Sequence, residues 1–256
     1  MKIKIKKHIL ILNIILGLTY GCQASTRGDV KIIEASENIR YLSQKISKEY
    51  LYCYQNPQKI ELKTKLIENM KRLEENIHNI EVNTQSNESK NILSFLSYTN
   101  EEIKELLKGE VTEDKSILLL DYSETFVEAA NSIQYLHRYD FSDEEKMLMQ
   151  LKDLEYLLER VTKYYMASTL NLNKKSNNQH MYNAIEKIEE IFVTLKEYQY
   201  PKDLRLERRK SISYWKTYKK FITLSKKISV PNLILVFIKN FKKSTKKIEL
   251  YHKKNQ

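Results

Sequence analysis

Apolar residues recur along this chain at steps of three and four, the spacing that lines one face of an α-helix, and they seldom alternate as they would in a strand. Ile32, Ala35, Ile39, Leu42, Ile46 and Cys53 mark a first stripe, and Leu62, Leu66, Met70, Leu73, Ile77 and Ile80 a second. Ile92, Leu96, Ile103 and Leu106 give a third, and Leu118, Tyr122, Phe126, Ala129, Ile133 and Leu136 a fourth. Asn56-Pro57 separates the first two and reads as a cap followed by a first helical residue. A polar run from Asn83 to Lys90 and then Gly109 supply the next two turns.

The same pattern begins again 115 residues later. Tyr41-Leu42 returns as Tyr156-Leu157, Lys48 as Lys163, and Met70, Leu73, Glu74, Glu75 and Ile77 as Ile185, Ile188, Glu189, Glu190 and Phe192. Leu118, Leu120, Phe126, Ile133 and His137 return as Leu233, Leu235, Phe241, Ile248 and His252. One offset held over so many helical positions means that a folding unit with its own core is repeated. Pro201 falls in the turn between the middle helices of the second copy, and Ser229-Val230-Pro231 opens its last helix. The chain therefore divides into residues 29–139 and 140–256, each expected to form four helices and to be long enough to fold alone.

The junction constrains how the units meet. Between His137 and Asp143 the chain is polar, and Ser142 with Glu145 reads as a capping box that starts a fresh helix. Four helices joined by short turns run up, down, up, down and finish at the end where they began, so the fifth helix starts there too. The predicted fold is all-α: two tandem four-helix up-down bundles packed side by side about a pseudo-two-fold axis. A fused rod of the fourth and fifth helices is the alternative, at the cost of melting the capping box.

Composition agrees with helix and removes several chemistries. Four glycines and three prolines in 256 residues cannot supply the turns of a sheet protein or a phosphate-cradling loop. The histidines, His8, His78, His137, His180 and His252, show no metal-ligand spacing, so no metal, cofactor or catalytic residue is expected. Glu74-Glu75 and Glu189-Glu190 read as solvated helix flanks, and His137 and His252 as cations placed favourably at helix C-termini.

Lys2, Lys4, Lys6 and Lys7 precede an apolar run from Ile9 to Leu18, shorter than the ~20 residues a membrane span needs. Residues 1–21 read as a signal peptide. Gly21-Cys22 resembles the lipobox of bacterial lipoproteins, with Thr19 where that motif has Leu and the large Tyr20 beside it. The resemblance implies lipidation at Cys22 and a protein anchored in the cell envelope, facing the periplasm; cleavage nearby and an uncleaved anchor are the alternatives. Cys53, whose counterpart is Ser168, is expected to be a packing residue.

The net charge of +11 arises in the last quarter of the chain, where Pro201 to Gln256 carries 17 Lys or Arg against three Asp or Glu. Such a field attracts anionic lipid headgroups, acidic partners or polyanionic glycans. A solvated lysine-rich face is the plainer account, and export argues against nucleic acid as the partner.

Asn38-Ile39-Arg40-Tyr41-Leu42-Ser43-Gln44-Lys45-Ile46-Ser47-Lys48-Glu49-Tyr50-Leu51 on the first helix resembles the signature of PilJ-type domains, the extracytoplasmic four-helix sensor domains of type IV pilus chemotaxis transducers. More distantly it is similar to the sensor domain of nitrate/nitrite histidine kinases. The usual Gly and first Arg are replaced by Glu37 and Asn38. In those kinases an arginine at the position of Arg40 binds the anion between two first helices, and the resemblance implies that role here. Arg40, Ser43, Gln44 and Ser47 fall on one helical face, so a guanidinium fork with hydroxyl and amide donors could converge on a small oxyanion. Alternatively Arg40 pairs with a carboxylate between the bundles, and Glu155, its counterpart in the second unit, would then face it. The expected function is a non-enzymatic, exported sensor-like protein that binds a small ligand or a partner in the envelope. With no kinase or second membrane segment in this sequence, it would hand its signal to another protein. The rival reading is a scaffolding lipoprotein with the same fold and no ligand site.

Overall fold

A computed structural model describes residues 27–224 and 231–256. The signal segment, Cys22, Ser229 and Val230 lie outside the described residues, which form eight helices and no strand. They are α1 (Arg27–Gln55), α2 (Ile60–Asn83), α3 (Asn87–Leu107), α4 (Glu113–Leu136), α5 (Asp143–Thr169), α6 (Lys174–Glu197), α7 (Lys202–Leu224) and α8 (Pro231–Lys254). Shifting the first four by the repeat offset lands on the last four to within a few residues at each end.

Each unit is a ring of four antiparallel neighbours: α1 packs on α2 and α4, which are bridged by α3, and α5 packs on α6 and α8, which are bridged by α7. The units meet chiefly through α1 and α5. Cross-links between Arg40 and Asp153, Lys48 and Glu159, and Gln55 and Thr169 advance together along both helices, so α1 and α5 run parallel. The side-by-side arrangement follows from the capping box at Ser142 and Glu145, in which Ser142 Oγ accepts from the Glu145 amide and the Glu145 carboxylate accepts from the Ser142 amide. That cap ends the run-on from α4 and sends α5 back beside α1.

The stripes anticipated from spacing fill two cores. One holds Ile32, Ile39, Leu42, Ile46, Leu73, Leu96 and Phe126, and the other Leu154, Val161, Ile188, Trp215, Tyr218 and Phe241. Two local expectations are corrected. Asn56-Pro57 does not open the second helix: the Asn56 side chain donates to Tyr52 O and closes α1, and α2 begins only at Ile60. Leu118 is not a core residue but 43% exposed, and its counterpart Leu233 is 39% exposed. Their neighbours Leu119 and Ile234 take the buried positions. The turn from α5 to α6 rests on Asn171 and Asn173, both with positive φ, a region that asparagine enters more readily than most residues.

The boundary between the cores does not follow the chain boundary. Leu51 and Tyr52 of α1, with Leu120 and Val127 of α4, are buried among second-unit residues. Burying a large apolar side chain contributes roughly 1.5–3 kcal/mol, so the first unit leaves several kcal/mol of burial behind when it is separated. Residues 29–139 expressed alone are expected to be helical yet to self-associate through this bared face, and to lose that tendency when residues 140–256 are added. Sedimentation velocity of each half and of the mixture checks this.

Candidate functional site

Buried Glu37, Lys48, Glu159 and Lys163 gather where α1 and α5 lie side by side, and α4 and α8 flank them. On one flank Glu159, fully buried, accepts from Lys48 at 2.5 Å and from Lys242 of α8. Lys242 also donates to Tyr41 Oη at 2.9 Å and lies 4.5 Å from the centre of its ring. Burial alone would raise the Glu159 carboxyl, but Lys242 and Lys48 outweigh it and hold the group at about 2. On the other flank Glu124 of α4 forms ion pairs with Lys163 and Arg160, each at 2.6 Å, and accepts from Gln44 at 3.3 Å. Against burial, Lys163 and Arg160 hold Glu124 at about 2. Lys163, fully buried with one acid and a neighbouring arginine, is pulled down to about 8 by that burial.

The two flanks are related by the repeat. Lys48 and Lys163 are counterparts, as are Lys45 and Arg160, Tyr41 and Tyr156, and Gln44 and Glu159. Lys45 sits over the Tyr41 ring and Arg160 over the Tyr156 ring, so the pseudo-two-fold axis relates side-chain contacts as well as helices.

Arg40 lies on this seam. Its guanidinium pairs with Glu37 at 2.8 Å and with Asp153 of α5 at 2.7 Å, and it stacks over Tyr156 with 4.4 Å to the ring centre. Gln134 of α4 donates to the same Glu37 carboxylate. Burial acts to lower the Arg40 pKa, but Glu37 and Asp153 overcome it and the group stays firmly protonated. Burial raises the Glu37 carboxyl despite that cation, since its side chain is only 3% exposed. Glu155 does not face Arg40. Its electrostatic neighbours are Lys242, Glu249, Lys152 and Lys246, on the opposite side of the seam.

The other expected partners of Arg40 do not converge with it on one point. Ser43 Oγ donates to the Arg40 carbonyl at 2.9 Å, and Gln44 Nε2 donates to Ser123 O at 3.0 Å and to Glu124. Ser47 Oγ is buried with no hydrogen-bond partner among the described residues. Two polar clefts border Arg40, of about 270 and 420 Å³; both include Asn131 and Asp153, and neither is lined by Ser43, Gln44 or Ser47. Arg40 thus lines open space and is closed by acids at once. Cys53 is free and buried, as its packing role requires.

Two repeated features gain partners that spacing did not reveal. His137 Nδ1 meets Asp29 at 2.8 Å and its Nε2 meets Ser89 at 3.0 Å; His252 Nδ1 meets Glu144 and its Nε2 meets Tyr200 Oη at 2.8 Å. Each ring ties the end of a unit's last helix to the start of its first, beyond any interaction with the helix dipole. Glu74 pairs with Lys104 and accepts from Asn100, and Glu189 pairs with Lys219 and accepts from Trp215. All six residues match at the one offset, so these glutamates are cross-helix ties rather than merely solvated flanks. The signal available in the sequence was the recurrence of charged residues inside apolar stripes, Lys48 and Lys163 above all.

Comparison with known protein families, curated proteins and solved structures gives no match.

Glu159 offers a test of the seam. Its carboxyl lies below the ordinary 4.5, so its stabilisation is whole above that pH and is lost as pH falls through about 2. Glu159→Gln is expected to cost about 3–5 kcal/mol at pH 7, because Lys48 and Lys242 are left buried without their acid. The same substitution should flatten the decline in stability between pH 4.5 and 2. Urea unfolding of both proteins across that range measures both effects.

Proposed function

We propose that this chain is a non-catalytic, exported and lipid-anchored scaffold of the cell envelope, built on two PilJ-like bundles whose former ligand position has become an internal lock. The observation that carries the reading is the sharing of one guanidinium, Arg40, between Glu37 at 2.8 Å and Asp153 at 2.7 Å. An oxyanion at that fork would have to displace carboxylates already in contact with it, one of them buried, and would meet their negative charge. The two acids thus stand in the place of an anionic ligand. The second reading, sensing of a small molecule, draws on the clefts of about 270 and 420 Å³ that border the same arginine.

A melting series separates the two. Arg40→Ala leaves Glu37 buried without a cation and is expected to destabilise by about 3 kcal/mol, and adding Glu37→Gln should restore much of the loss. Nitrate should leave the melting temperature of the parent unchanged. A nitrate-dependent rise, expected to reach about 2.7 kcal/mol at a hundredfold excess over Kd and abolished by Arg40→Ala, would instead establish the sensor.

Anchoring is tested separately. In a bacterial host, labelling with a fatty-acid analogue is expected to mark the parent chain and not Cys22→Ala; equal labelling of the two would remove the lipid anchor from this reading.

A further inference from the structure

Part of the surplus of positive charge in the last quarter of the chain is carried by exposed Arg209, Lys216, Lys220, Lys239, Lys243 and Lys247 on α7 and α8. Of the three acids there, Asp203, Glu207 and Glu249, the last two are buried. Glu207 pairs with Lys210 and Lys247 and accepts from Ser244, while Glu249 pairs with Lys152 and Lys246. Only Asp203, at the start of α7, remains on the outside as an acid.

The exposed positions of α8, Leu233, Val236, Lys239, Lys243, Lys247 and Leu250, recur at steps of three and four and form one stripe. Arg209, Ser213, Lys216 and Lys220 form the matching stripe on α7. Where α7 gives way to α8 the stripes end in an apolar patch. Phe221 packs on Phe237 with ring centres 5.2 Å apart, and beside them Leu233 and Val236 are 39% and 57% exposed. Lys216, Lys220, Lys239 and Lys243 are exposed on the same two helices, and among the described residues none of the four enters an ion pair. A shallow hollow of about 390 Å³ opens between Lys216, Thr217, Lys220 and Phe221.

We propose that the outer face of α7 and α8 docks on the surface of an anionic lipid bilayer, with Leu233 and Val236 entering the acyl boundary and the lysines meeting lipid phosphates. Charge complementarity selects an anionic partner and opposes a second copy of the same face. The apolar patch selects among anionic partners. A soluble polyanion would neutralise the lysines and leave Leu233 and Val236 in water, whereas a bilayer satisfies both. Lysine suits this boundary because its alkyl stem lies along apolar surface while its ammonium stays at the headgroups. The proposal stands apart from the reading of Arg40 and does not depend on it.

The test uses the full chain with Cys22→Ser and Asn240→Cys, carrying a polarity-sensitive fluorophore at the new thiol. Asn240 is exposed within the α8 stripe and Cys53 is buried, so the label reports on this face and not on the N-terminus. Emission is expected to shift to shorter wavelength with vesicles of phosphatidylglycerol and phosphatidylcholine, to shift little with phosphatidylcholine alone, and to revert at high salt. Leu233→Ser with Val236→Ser should weaken the response about tenfold without changing charge. Lys220→Gln with Lys243→Gln should weaken it by a similar factor and flatten its salt dependence. An unshifted emission on anionic vesicles would overturn the proposal. So would a polyglutamate or heparin response that the serine pair leaves intact while the vesicle response is absent, which would make the face a polyanion site.

Discussion

The rest of the structure depends on the parallel contact of α1 and α5, which sets charges out of water beside apolar side chains such as Leu51 and Tyr52. Lys48 and Glu159 touch across it, and Lys163 reaches from α5 to Glu124 on α4. Removing charges from water costs several kcal/mol per ion, and mutual attraction offsets this only where each charge finds its partner. The helices can therefore settle in few registers: a slide of one turn, about 5.4 Å, would strand Lys48, Glu159 and Lys163 together. An apolar seam would tolerate such a slide. The buried ions contribute less to net stability than to fixing where one bundle sits on the other.

Pseudo-symmetry explains why the seam uses opposite charges. In a dimer of identical chains, residues lying on the two-fold axis meet their own copies, so a charge there meets its like. A tandem repeat frees the halves to differ. Gln44 in the first unit is Glu159 in the second, Val127 is Lys242, and Arg40 is Glu155. The first two differences build the Glu159 cluster, in which an acid present in only one unit takes a lysine from each. Some contacts that lie wholly within a unit have stayed alike, among them the clasps of His137 on Asp29 and His252 on Glu144.

Much of this was legible in the sequence because it rests on local rules. Stripe spacing placed eight helices, the Ser142 and Glu145 pair placed the reversal, the repeat offset marked the two units, and the short junction between them placed the bundles side by side. The failures share a cause. Leu118 was assigned to the core and proved exposed, although Leu119 beside it is buried; in a helix where Ile117, Leu118, Leu119 and Leu120 are consecutive, spacing alone cannot fix which pair faces inward. Asn56 caps the preceding helix rather than the next, a choice set by where its side chain finds a carbonyl. The seam carries the largest such ambiguity, because a one-residue rotation of α5 decides which acid meets α1.

The partner of Arg40 shows how that ambiguity resolves. Counterparts related by a two-fold axis parallel to the helices stand at the same height but on opposite sides of it, unless they lie on the axis itself. Glu155, the counterpart of Arg40, is accordingly carried to the far side, among Lys242, Lys152 and Lys246. The residues of α5 on the near side are Asp153 and Tyr156, and these are what Arg40 meets. The repeat therefore implied a carboxylate at the right height on the wrong side. Asp153 supplies the charge from two positions earlier, with Glu37 one turn before Arg40 on its own helix, so the arginine is held by both units. The pairing of Arg40 with one acid from each unit is thus a consequence of packing two unequal copies in parallel.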